Sequence, residues 1–272
     1  LTGQRSYRSL EAIKKRQHER AALMRDGASG QTISEIRRDL AAAYRLSSLV
    51  GMDDGIYTHI SARVPGEPGH FLINPYGLMW EEITASSLVK IDVDGNKVAD
   101  SPYRVNPAGF TIHSAVHIGR HDAAWVMHTH TRSGFAVSCL EEGLMPLNQI
   151  ALQYYGQIGY HDYEGIALDL EERERIVEAL GANIALILRN HGLLTVGATA
   201  GQMFSNMFYL NRACEIQEST LAMGRPLRQI DDAVIKRVSE QFSQMAYDDG
   251  DVALEWDAQM RLADRLDPGF RD

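Results

Sequence analysis

Cysteine is scarce in this chain: Cys139 and Cys214 are the only two among 272 residues. Two thiols are too few for a disulfide framework or a thiolate zinc site, and they read as free thiols in the cytoplasm. Long apolar runs are missing as well, with nothing near the ~20 consecutive residues that a membrane span needs. Residues 1–25 carry charge throughout and lack the apolar centre of a signal peptide. Positive charge is outweighed, with 27 Lys and Arg against 36 Asp and Glu and a formal net charge of −9. That balance sets aside nucleic acid and anionic membrane surfaces as partners. With no internal repeat and no low-complexity stretch, the chain reads as one α/β domain over residues 31–225. An N-terminal helical segment (1–30) precedes it, and a C-terminal helical extension (226–272) packs on it.

Histidine, by contrast, is present ten times, and its placement is the main chemical signal. His128-Thr129-His130 follows the apolar, partly β-branched run 123–127. Side chains two apart on a strand point the same way, so these two imidazoles face one side. Two converging imidazoles are the first two ligands of a divalent transition-metal site. His191, in Arg189-Asn190-His191-Gly192, follows a second apolar run and is the third candidate. Three imidazoles with an open fourth position form a catalytic arrangement, because water or substrate completes the shell. The competing reading is three hydrogen-bonded core histidines, and spacing alone leaves both open. His113 and His117, four apart on one helix, are either a ligand pair or packing residues. His161 sits in a polar turn, and His18, His59, His70 and His121 read as structural or solvated.

The rest of the chain reads as a scaffold. Residues 7–26 predict a surface helix, and Ser34 is placed to cap a helix running to about Ser48. Residues 56–64 alternate apolar and polar, which predicts a strand with one face in the core. Strands are expected at 70–74, 88–93, 184–188 and 193–196. Asn106 followed by Pro107 caps a helix over 107–119. Further helices are expected at 133–140, 171–181, 199–223, 230–246 and 252–265.

With these residues in view, the chain resembles the class II aldolase/adducin family, its adducin branch most of all. The resemblance rests on His128-Thr129-His130, on Arg189-Asn190-His191-Gly192-Leu193, on residues 58–63, 71–75 and 83–89, on Asn106-Pro107-Ala108-Gly109-Phe110, and on residues 213–217. It implies a three-layer α/β/α sandwich around a mainly antiparallel central sheet, with C-terminal helices added. It also implies a homotetramer, with active sites between neighbouring subunits. The three histidines would hold one divalent metal per subunit, zinc in the first place, iron or manganese otherwise. Asn74, Tyr76, Gly77, Gly109 and His113 fall at positions that line the substrate site. In the family's sugar-phosphate aldolases a glutamate four residues before the position of His113 is the acid/base; here that position is Gly109. The small phosphate-binding residues are also replaced, by Asp54 to His59 and by Pro107-Ala108. Such a site favours a non-phosphorylated carbonyl or oxo-acid.

Three functions are compatible with this pattern. The first is a metal-dependent lyase, cleaving a carbon–carbon bond or decarboxylating, with Tyr154, Tyr155 or Tyr160 of a neighbouring subunit as proton carrier. Arg132 would pair with a substrate carboxylate, or else with a neighbouring acidic residue. The second is a non-haem iron oxygenase acting on an aryl 2-oxo-acid. The third is a non-enzymatic, adducin-like assembly domain without the lysine-rich tail.

Overall fold

Thr32 starts the first described helix, α1 (Ile33–Leu49), through a capping box. Its hydroxyl accepts from Glu35 N–H while the Glu35 carboxylate accepts from Thr32 N–H. The expected cap, Ser34, lies inside the helix instead, because the Thr-x-x-Glu spacing satisfies two orphan amides at once. The structure is a computed structural model and describes residues 30–247 and 250–272. The helix expected over 7–26 lies outside the described residues.

Among the described residues, seven strands form one sheet: β1 (His59–Arg63), β2 (His70–Ile73), β3 (Val89–Asp92), β4 (Trp125–Thr129), β5 (Ile158–His161), β6 (Ala185–Leu188) and β7 (Gly192–Gly197). Their order is β3-β2-β1-β4-β7-β6-β5, with every pair antiparallel except β5–β6. The helices are α2 (Pro107–Gly119), α3 (Arg132–Ser138), α4 (Gln149–Leu152), α5 (Glu172–Leu180), α6 (Ala200–Ala222), α7 (Asp232–Tyr247) and α8 (Gly250–Leu266). On one face of the sheet α1 and α6 bury Leu40, Tyr44, Met203 and Met207 against Ile60, Met127 and Ile187. On the other, α2 and α5 bury Ile112, Val116, Ile176 and Leu180 against Val126, Leu186 and Leu194. The mainly antiparallel three-layer sandwich expected from the sequence is the architecture found. Each such aliphatic side chain contributes on the order of 1.5–3 kcal/mol by leaving water.

Two expectations change because both faces of the sheet are covered. Residues 56–64 alternate in sequence, yet His59 and Ser61 are as buried as Ile60 and Ala62. Their polar side of β1 lies under α2 rather than in water. His161, expected in a turn, belongs to edge strand β5, and its Nε2 meets the buried Glu172 carboxylate of α5 at 3.0 Å. Among the described residues, no helix is long and apolar enough to cross a membrane.

Candidate metal centre

β4 and the β6–β7 hairpin bring the three histidines together. His128 is near the end of β4, and His130 lies just past it. His191 sits in the tight connection between β6 and β7, and the sequence around it suits that turn. Asn190 takes a left-handed conformation (φ 55°), which asparagine tolerates better than most residues. Gly192 passes so close to β4 that an added Cβ would lie 2.4 Å from Thr129 O. The metal-capable atoms of His128, His130 and His191 all fall within 4.8 Å of one another.

Hydrogen bonding fixes which nitrogens are free. His128 Nδ1 lies 3.0 Å from Leu193 O and His130 Nδ1 lies 2.9 Å from Asp54 Oδ2. A carbonyl and a carboxylate only accept, so both Nδ1 atoms carry the proton. In the neutral rings the two Nε2 atoms are then bare, and they face each other at 3.0 Å. Two converging lone pairs repel unless a cation lies between them. Neutral imidazole nitrogens at this spacing fit a divalent transition metal, with His191 as the third donor. Burial, followed by the charges of His191, His130 and His59, pushes His128 well below the usual histidine range. His191 is pushed down to about 4, first by burial and then by His130 and His161. Neutral rings are the form a metal requires.

Behind the triad lies a second group of imidazoles. His59 pairs with His128 across β1 and β4, and the two rings stack with centroids 5.2 Å apart. His59 Nδ1 is 3.1 Å from His113 Nε2, and His113 Nδ1 is 2.5 Å from Ser61 Oγ. Ser61 Oγ in turn lies 2.8 Å from His117 Nε2. All four side chains are buried. His59 also fills the space above Gly109, where an added Cβ would come 2.5 Å from its Cδ2 and 2.8 Å from its Nε2. Sequence reasoning missed His59 because it fell on the polar parity of a strand expected to face water. Asp54 was read only as part of a substituted loop.

The other expected site residues are more dispersed. Asn74 is committed to the core: its Oδ1 accepts from the Tyr44 hydroxyl (2.9 Å), and its Nδ2 donates to Thr58 O (3.5 Å). Gly77 takes a positive φ of 114° beside Tyr76. Tyr76 is covered by the Arg104 guanidinium at 4.9 Å and approached by the exposed Tyr57 at 6.5 Å. Arg132, with its side chain 90% exposed, pairs with Glu218 at 3.2 Å, the alternative its position allowed. Tyr154, Tyr155 and Tyr160 line a separate cavity of about 100 Å³ with Leu144, Pro146 and Ala151. The Tyr154 hydroxyl is buried and donates to Asn206 O at 2.7 Å. The Tyr160 hydroxyl accepts from Leu144 N–H (3.2 Å), while Tyr155 is exposed.

The buried chain has a consequence for acid stability. Burial is the leading cause holding His113 and His117 well below the ordinary histidine range. In the unfolded chain each takes up its proton near pH 6.5; in the folded protein it does not. Stability is therefore complete above about pH 6.5 and is lost below it, by about 1.4 kcal/mol per pH unit for each such histidine. Urea midpoints of chelator-treated protein at pH 7.5 and 5.5 should show that fall. His117→Gln should make it shallower.

A seven-stranded mixed sheet between helical layers, carrying three convergent histidines at the ends of neighbouring strands, defines a class II aldolase-type protein. The chain belongs to the class II aldolase and adducin N-terminal domain family, whose pattern matches residues 38–218. It is 53% identical over 243 residues to a Caulobacter vibrioides protein whose name marks it as an aldolase class 2 candidate, covering 88% of this chain and 92% of that one. The crystal structure of an aldolase II superfamily protein from Pseudomonas syringae superposes with a TM-score of 0.85 at 47% identity, over 91% of this chain and 99% of that chain. L-fuculose 1-phosphate aldolase from Glaciozyma antarctica is more distant, with a TM-score of 0.75 at 26% identity, over 93% and 99% of the two chains.

Proposed function

We infer that the protein is a metal-dependent lyase of the class II aldolase type, acting on a non-phosphorylated carbonyl or oxo-acid substrate. The observation that carries this reading is the pair of bare Nε2 atoms of His128 and His130, facing each other beside His191. When bound there, a divalent metal supplies the Lewis acid that draws electron density from a substrate carbonyl next to the bond that breaks. The chain's own residues orient and handle protons. Leu193 O and Asp54 hold two ligand rings with their free nitrogens inward. His59, kept neutral chiefly by burial, stands over Gly109, where the chain itself offers no proton-carrying side chain. It is the nearest group able to hold or pass a proton, at Nε2, while His113 engages its Nδ1.

Two features support a substrate without phosphate. Pro107 and Ala108, at the start of α2, bring no hydroxyl, and Asn106 spends its side-chain oxygen on Ala108 N–H. Arg104, stacked on Tyr76 near Tyr57, is an exposed guanidinium suited to a carboxylate, in place of Arg132. The test is elemental analysis of protein purified without chelator or affinity metal, followed by an anaerobic screen of 2-oxo-acids. Near-stoichiometric metal with chelator-sensitive cleavage in the absence of oxygen is expected. Turnover that requires dioxygen would overturn the lyase in favour of an oxygenase. A metal-free folded oligomer would leave only the assembly role.

A further inference from the structure

The two ligand rings with defined partners are held by different kinds of group. His128 leans on a main-chain carbonyl of the neighbouring strand, which no substitution of a side chain removes. His130 leans on a side chain, Asp54, which lies 76 residues away in sequence. The local fold explains how they meet. β1 runs antiparallel to β4 with His59 opposite His128, so the chain entering β1 passes the end of β4 where His130 lies. A turn closed by Tyr57 N–H to Asp54 O (3.1 Å), with Gly55 at a φ of 55°, places the Asp54 carboxylate on His130 Nδ1 at 2.9 Å. Only one side of the His130 ring is then left for a metal.

We propose that Asp54 is the positioning residue of the metal centre, fixing the tautomer and orientation of His130 and strengthening it as a donor. This rests on the reading of the three histidines as a metal site. A carboxylate accepting from the far nitrogen of a ligand imidazole holds the ring in place and makes the near nitrogen more basic. Loss of such a partner weakens metal binding by about 10- to 100-fold. Asp54 is suited to a test because its side chain is 52% exposed and takes no part in the core. Asn retains an accepting oxygen without the charge, whereas Ala removes both. The two variants should therefore rank, with Asp54→Asn the milder.

The measurement is zinc affinity by chelator competition on the full chain, for wild type, Asp54→Asn, Asp54→Ala and Asp53→Asn. Asp53 is the charge control: it lies one residue away and meets Ser48 Oγ at 3.4 Å instead of a ligand. Side-chain nitrogen NMR of the metal-free proteins gives a second readout, the tautomer of His130. One zinc per wild-type chain, about 10-fold weaker binding in Asp54→Asn, about 100-fold in Asp54→Ala and none of this loss in Asp53→Asn is the expected result. The Nδ1-protonated form of His130 should give way to a mixture in Asp54→Ala. Wild-type affinity in Asp54→Ala would overturn the assignment and leave the metal site standing. Equal losses in Asp54→Ala and Asp53→Asn would reduce the effect to bulk charge and overturn it too. A wild type that binds no zinc with any affinity would remove the metal site itself, and the role of Asp54 with it.

Discussion

His128→Ala is expected to abolish the response of the protein to divalent metal. The ring supplies one of three donors and one of the two nitrogens that converge at 3.0 Å. Zinc at 100 times its dissociation constant should stabilise wild type by about 2.7 kcal/mol, if it binds only the folded chain. For a protein of this size that raises Tm by roughly 5–10 °C. The variant should show no shift at the same zinc concentration, and any metal-dependent turnover should go with it. Its metal-free stability is the baseline from which that shift is read. The substitution leaves Leu193 O without its donor, at about 1–3 kcal/mol, but also removes the opposed lone pair facing His130. His70→Ala is the control, since His70 pairs with Glu67 outside the triad. An equal zinc-dependent rise in Tm for His128→Ala and wild type would place the metal elsewhere.

What the sequence disclosed about this site, and what it withheld, follows from the range of the interactions. The His-x-His pair and the Asn-His-Gly turn are local patterns, set by strand periodicity and by which residues tolerate a tight turn. They were legible without a fold. So was α2, where Asn106 and Pro107 mark the start to the residue. Asp54 and His59 were not legible, because their roles depend on β1 lying against β4 in one particular register. Alternation in residues 56–64 gave the right element and the wrong environment: a polar stripe on a strand looks the same under water and under a helix. His161 was misplaced for a related reason. A four-residue edge strand paired in parallel with β6 leaves little periodicity to read, and its buried partner Glu172 comes from a different element. The tyrosines fall between these cases. They were expected as proton carriers from a neighbouring subunit; within one chain they line a cavity of their own, and the Tyr154 hydroxyl turns inward to Asn206 O.

Gly109 and His59 should behave as one unit, and substituting either should show it. An alanine Cβ at position 109 would press on the His59 ring at 2.5 to 2.9 Å. That ring has little room to retreat. It stacks on His128 on one side and is tied through Nδ1 to His113 on another, in a fully buried setting. Overpacking of this kind costs about 1–3 kcal/mol, against which the better helix propensity of alanine returns up to about 1 kcal/mol. The sharper effect should be chemical: a displaced His59 loses its place beside the triad, and a misplaced proton-transfer group typically costs about 10²–10⁴-fold in rate. Gly109→Glu alone should not create the acid/base glutamate of the sugar-phosphate aldolases, because the space its side chain needs is already taken. Only with His59→Ala beside it does that space open. The double variant should therefore be more stable than the sum of the two single changes predicts, by about 0.5–3 kcal/mol of coupling. Urea unfolding of the four proteins in this cycle measures that term. A coupling of zero would mean that His59 yields freely, and that glycine at 109 is not what keeps the ring beside the metal ligands.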